Sequence, residues 1–83
     1  MKILYFAWVR EKTGISKEDI TLPDDVGTAL DLIGWLSQRG GGYADAFSNV
    51  DSVRVAINQE YANHDRPVTD TDEIAFFPPV TGG

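Results

Sequence analysis

Asp72-Glu73-Ile74-Ala75-Phe76-Phe77-Pro78-Pro79-Val80-Thr81-Gly82-Gly83 is the last stretch of the sequence, and its reading decides the rest. Ile74 to Phe77 is a short apolar run suited to a buried strand. Pro78 and Pro79 remove two backbone donors and hold the chain in an extended, polyproline-like form, so the strand ends there. Val80, Thr81, Gly82 and Gly83 are then expected to form a flexible tail, residues 80–83, outside a single domain of residues 1–79. Extended from Pro79, such a tail reaches roughly 15 Å. A core strand that runs into a stiff exit and a bare Gly-Gly is suited to presenting the Gly83 carboxylate to another protein.

Working outward, a strand this apolar needs equally apolar neighbours. Lys2-Ile3-Leu4-Tyr5-Phe6-Ala7 supplies one, reading as an interior strand with both faces partly covered. Ile3 to Phe6 and Ile74 to Phe77 are therefore expected to lie side by side and parallel. Trp8 to Thr13, closed by Gly14, reads as a short helix, and Ser16 to Leu22 as an edge strand forming a hairpin with the first.

Thr28 to Arg39 is the main helix. Thr28 is the N-cap and Asp31 stands at N3. Ala29, Leu32, Ile33 and Leu36 form one apolar face, which Leu30 widens, and Arg39 and Gly40 close the helix. Gly40-Gly41-Gly42 reads as a loop and Tyr43 to Phe47 as a turn of helix. Ser52 to Ile57 alternates as a half-buried strand, Asn58-Gln59-Glu60 is a turn, and Tyr61-Ala62 a brief return strand. This order of elements places one amphipathic helix across one mixed sheet, an α+β domain with the β-grasp (ubiquitin-like) arrangement.

Composition narrows the function. With 83 residues, the chain buries only about 60–65% of the surface its unfolded form exposes, enough for one core but not for a walled catalytic cleft. Its formal charge of −6, with seven Lys and Arg spread along the chain, argues against nucleic acid as a partner. There is no cysteine, hence no thiolate metal site, disulfide or thiol nucleophile. No run is long enough for a membrane span and no leader pattern is present, so a cytoplasmic protein is expected. His64, the only histidine, falls in a polar stretch and reads as a surface loop residue. Asp70, Asp72 and Glu73 read as solvated turn carboxylates, and Arg10, Glu11 and Lys12 as a solvated helix face. Phe6, Tyr61 and Phe77 are candidate docking aromatics beside the tail exit. Of Phe76 and Phe77, strand alternation places one in the core and leaves the other near the open face.

Tyr5-Phe6-Ala7-Trp8-Val9-Arg10-Glu11, Val55-Ala56-Ile57-Asn58-Gln59-Glu60 and the Asp70 to Gly83 end together resemble the small subunit of molybdopterin synthase, the MoaD family of ubiquitin-like sulfur carriers. Phe76-Phe77-Pro78-Pro79-Val80-Thr81-Gly82-Gly83 is the most specific part; Gly-Gly alone is shared with every ubiquitin-like carrier. The resemblance implies that an E1-like adenylating enzyme, using ATP with Mg, activates the Gly83 carboxylate, and that a sulfur donor protein converts it to a thiocarboxylate. Val80, Thr81, Gly82 and Gly83 would enter the active site of the large subunit of a heterotetramer. There the sulfur would pass to cyclic pyranopterin phosphate, with Phe6, Tyr61, Phe77, Pro78 and Pro79 contacting the partner. No cofactor or metal is expected on this chain, and the catalytic groups are expected on the large subunit. Two other uses of such a tail stay open: a ubiquitin-like protein modifier joined through Gly83, and a sulfur carrier for thiamine or tRNA thiolation.

Overall fold

A computed structural model describes residues 1–79. In chain order it contains β1 (Lys2–Tyr5), α1 (Ala7–Thr13), β2 (Lys17–Asp19), α2 (Ala29–Ser37), α3 (Gly41–Ala46), a 3-10 turn (Val50–Ser52), β3 (Arg54–Ile57), β4 (Glu60–Ala62) and β5 (Glu73–Phe77). The sheet order is β2-β1-β5-β3-β4. The two apolar terminal strands are neighbours and parallel, with Ile3 opposite Ile74 and Tyr5 opposite Phe76. β2 and β3 flank them antiparallel. Two central strands bury more backbone and side chain than any edge strand, so the two most apolar segments occupy the centre.

One face of the sheet carries the core. Ile3, Tyr5, Val55, Ile57, Ile74 and Phe76 meet Ala29, Leu32, Ile33 and Leu36 of α2 and Phe47 beyond α3. Helix α2 starts as its sequence demands. The Thr28 hydroxyl accepts from the Asp31 N–H, and the Thr28 N–H donates to the Asp31 carboxylate, each at 3.2 Å. Leu30 does not extend the buried stripe. It is 48% exposed, because the four positions Ala29, Leu32, Ile33 and Leu36 already fill the width that the sheet can cover.

The helix ends at Ser37, two residues early, and Arg39 leaves it to serve another element. Its guanidinium donates to Glu18 of β2 at 2.7 Å and stacks over Trp35 and Tyr43, 4.7 and 4.9 Å from their ring centroids. The hydroxyls of Tyr5 and Tyr43 both donate to the other oxygen of Glu18, each at 2.8 Å. One carboxylate thus ties β1, β2, α3 and the end of α2. Burial pushes the Glu18 carboxyl upward, but its three donors outweigh burial and hold it below its ordinary value of 4.5. Burial, then the adjacent carboxylate, drive the Tyr5 hydroxyl far above its usual range. A carboxyl lowered in the folded state stabilises above its unfolded pKa, and that contribution is lost as pH falls through the folded value. Melting temperature is therefore expected to drop below about pH 4.5, and Glu18→Gln should flatten that acid limb while lowering stability at pH 7. Thermal melts between pH 3 and 7 read both; an unchanged acid limb in Glu18→Gln would count against this role.

The three-glycine segment is more structured than a loop. Gly40 and Gly41 take φ of 77° and 52°, left-handed values that glycine adopts at no steric cost, and α3 already begins at Gly41. Gly42 is needed for a different reason. A methyl group on it would run into the backbone carbonyl of Lys12, so only glycine lets α3 lie against α1. Gly42→Ala should cost about 1–3 kcal/mol by forcing the two helices apart. Gly34→Ala, on the open side of α2 with nothing near its added methyl, should gain about 1 kcal/mol. Urea unfolding of the two variants checks the opposite signs.

Candidate functional site

β5 carries the chain from the core to the proposed tail, and its alternation sorts the aromatic pair. Phe76 is fully buried against Tyr5 and Phe47, with ring centroids 6.2 and 5.1 Å away. Phe77 therefore faces the opposite, open side of the sheet and is half-buried there. Its ring lies 5.5 Å from that of Tyr61 on β4, and Tyr61 is 81% exposed. The strands β3 and β4 join through Asn58 and Gln59, whose φ values of 52° and 69° make the tight two-residue hairpin that places Tyr61 opposite Ala56.

Phe6 sits at the same end. Its N–H donates to the Phe76 carbonyl at 3.1 Å, and its side chain is 47% exposed. The chain turns from β1 into α1 at Ala7, with φ of 51°, a left-handed value that costs a non-glycine residue roughly 1–2 kcal/mol. Pro78 and Pro79 follow Phe77 directly and are half-buried. The structure thus brings Tyr61 and Phe77 into contact, with Pro78 and Pro79 following directly, and joins Phe6 through its backbone to the same end of β5. Val80, Thr81, Gly82 and Gly83 lie outside the described residues.

Sequence reasoning missed part of this surface. Register aligns Leu4, Ala75, Ala56 and Tyr61 in one row across β1, β5, β3 and β4. Three of the four are apolar without being core residues of the helix side, and the small Ala75 and Ala56 leave the centre of the row low between larger neighbours. The signal was present in β1, where Leu4 stands between the inward Ile3 and Tyr5, too apolar for a solvated face. Beside Phe77, a groove of about 680 Å³ is lined by Arg54, Val55, Tyr61, Ala62 and Arg66 among others. The groove is mixed, with Asn63 and Asp65 completing its lining, and an exposed aromatic pair beside such polar groups suits a protein partner.

Other candidate residues have structural work. The His64 ring nitrogen Nε2 lies 2.8 Å from the Val53 carbonyl, and the His64 carbonyl accepts from the Leu30 N–H at 2.7 Å, so His64 is a half-buried tie rather than a loose loop residue. Asp70 accepts from the Leu22 N–H, and Asp72 from Thr69 and Asn58; these turn carboxylates close loops. Lys12 pairs with Asp45 at 3.1 Å, joining α1 to α3. Among the described residues, no three His, Cys, Asp or Glu side chains gather as a metal site would require, and no helix is long and apolar enough to cross a membrane.

Known proteins resemble the chain over its length. Residues 3–83 match the model of the ThiS family. The "Molybdopterin synthase sulfur carrier subunit" of Haemophilus influenzae is 42% identical over all of this chain and 99% of its own. The protein of the same name from Escherichia coli is 37% identical, again over all of this chain and 99% of its own. Among solved structures, a putative molybdopterin converting factor, subunit 1, from Pyrococcus furiosus superposes with a TM-score of 0.74 at 31% identity, covering 95% of each chain. The β-grasp arrangement expected from the order of elements is the arrangement found.

Proposed function

We propose a route for sulfur that starts from one premise: this chain belongs to the ThiS family. The protein is a sulfur carrier of molybdopterin biosynthesis, the role its full-length relatives bear in their names. As a small subunit it works with a large one. Because the chain has no cysteine, the carboxylate of Gly83 is where it would hold sulfur covalently. A carboxylate is a poor electrophile. An E1-like adenylating enzyme, with ATP and Mg, makes it reactive: a carboxylate oxygen attacks the α-phosphorus and pyrophosphate leaves. A sulfur nucleophile delivered by a donor protein then displaces AMP, which departs with that oxygen, and the product is a thiocarboxylate. The tail Val80 to Gly83 next enters the active site of the large subunit, where the sulfur passes to cyclic pyranopterin phosphate. Two copies of each subunit form the working heterotetramer, and the large subunit supplies the catalytic groups.

Within this scheme the chain's own residues bind and aim. Phe6, Tyr61 and Phe77 seat the open face on the partner, and Pro78 and Pro79 carry the backbone away from the sheet without offering donors that would fold it back. The observation that most supports the reading is that β5 runs from the fully buried Phe76 straight to the diproline at the edge of the exposed aromatic patch. Intact-mass analysis after incubation with the activating enzyme, ATP and a sulfur donor tests it. Exchange of one oxygen for sulfur at Gly83 is the expected result. Branched peptides joining Gly83 to lysines of other proteins would instead establish a protein modifier, and an unaltered mass would overturn the carrier route.

A further inference from the structure

The charges on the open face are sorted along the strands in a way the composition conceals. The chain has 13 acidic and seven basic side chains, so a random patch of its surface is expected to be acidic. At the end of the sheet away from the diproline, register places Asp19, Lys2 and Glu73 side by side on β2, β1 and β5, so the lysine is flanked by carboxylates. The next row reads Lys17, Leu4, Ala75, Ala56, Tyr61 from β2 to β4. The row nearest the exit holds Phe77 opposite Arg54, with Phe6 at its margin. These two rows contain two cations and no carboxylate. Glu18 of β2 points to the helix side, toward Tyr5, so Lys17 projects to the open side. Arg54 does likewise, because Val55 is buried on the core face, and it lines the groove beside Phe77 and Tyr61. Among the described residues, Lys2, Arg10, Lys17 and Arg54 form no ion pair, whereas Lys12, Arg39 and Arg66 each do; of the four, Lys17 and Arg54 are the two that stand in the exit rows. The groove's loop wall brings Asp65 beside Arg66, and Arg66 is already matched by Glu60 at 3.9 Å.

Resting on the carrier reading, we propose that the exit half of the open face selects a partner surface that is apolar at its centre and carries carboxylates at two margins. Lys17 on β2 and Arg54 on β3 are three strand spacings apart, about 15 Å, with Leu4, Ala75 and Phe77 between them. The partner's carboxylates should straddle an apolar knob at that separation. Charges placed so set register and choice of partner, and they act mainly on the rate of encounter. This reverses what net charge implies: an acidic chain docks through two rows of its sheet that carry no carboxylate of their own.

The test is stopped-flow association of the full chain with the large subunit, comparing wild type with Lys17→Glu, Arg54→Glu and the double variant. Thermal melts confirm that each is folded; Lys17→Met and Arg54→Met stand in for any charge reversal that is not. The double reversal should slow association about tenfold or more at low salt, with the difference shrinking as salt rises, while dissociation changes less. Faster association of the reversed variants would show that the partner face is basic and overturn the proposal, and an unchanged rate would overturn it equally. Failure of wild type itself to bind the large subunit would overturn the carrier reading, and this inference with it.

Discussion

Deletion of Gly83 is expected to abolish both thiocarboxylate formation and sulfur transfer while leaving the melting temperature unchanged. The shortened chain still ends in a carboxylate, on Gly82, but about 3.5 Å short of its place when the tail is extended. Reacting groups must be aligned to within a fraction of that distance, so losing one residue removes the alignment rather than the chemistry. Gly82 acts differently. Gly82→Ala and bulkier changes should keep the carboxylate in place and obstruct a narrow channel, with a penalty that grows with side-chain size. The core loses nothing in either case, because Phe76 and Ile74 anchor the last strand before the diproline. The assay is thiocarboxylate yield with activating enzyme, ATP and a sulfur source, followed by product formation with the large subunit. Turnover of the Gly83 deletion at close to the full-length rate would sink the carrier route.

The second large effect separates two neighbouring phenylalanines. Phe76→Ala should destabilise the domain by about 3–5 kcal/mol, since it leaves a cavity against Tyr5 and Phe47 beneath α2. For a domain of this size that is a large fraction of the folding free energy. Phe77→Ala, one residue on, should barely move the melting temperature, yet weaken binding to the large subunit by about 1 kcal/mol or more. Its ring rests on Tyr61 and the groove, not on the core. Calorimetric titration and thermal melts distinguish the two. Should Phe77→Ala unfold as readily as Phe76→Ala, Phe77 would be a packing residue and the docking surface would lose its centre.

Much of the architecture was legible along the chain because its signals are local. The capping box of Thr28 and Asp31, the Ala29-Leu32-Ile33-Leu36 stripe and the diproline stop all depend on neighbours a few residues away. Parallel pairing of the terminal strands followed from their apolarity, since only a central place in a sheet buries both faces of such segments. Alternation declared that Phe76 and Phe77 must part company, but not which would be buried.

What the chain could not declare were the contacts made between segments far apart in sequence. Gly42 looked like one of three loop glycines; its necessity comes from the Lys12 carbonyl of another helix lying against it. Arg39 looked like a partner for the helix dipole, yet it bonds Glu18, 21 residues away, because β2 passes beside the end of α2. Leu30 looked like core and is exposed, because the width of the sheet beneath, not the helix period, limits what can be covered. The rows of the open face exist only once strand register is set. Residues 4, 75, 56 and 61 become neighbours through backbone pairing, and the same pairing sets Lys17 and Arg54 at two margins of the exit rows. The sequence alone determined which segments form strands and helices and where the diproline stops the last strand, since those depend on residue type and order. Tertiary structure decided which side chains share a surface, because that depends on pairing across distances no local pattern encodes.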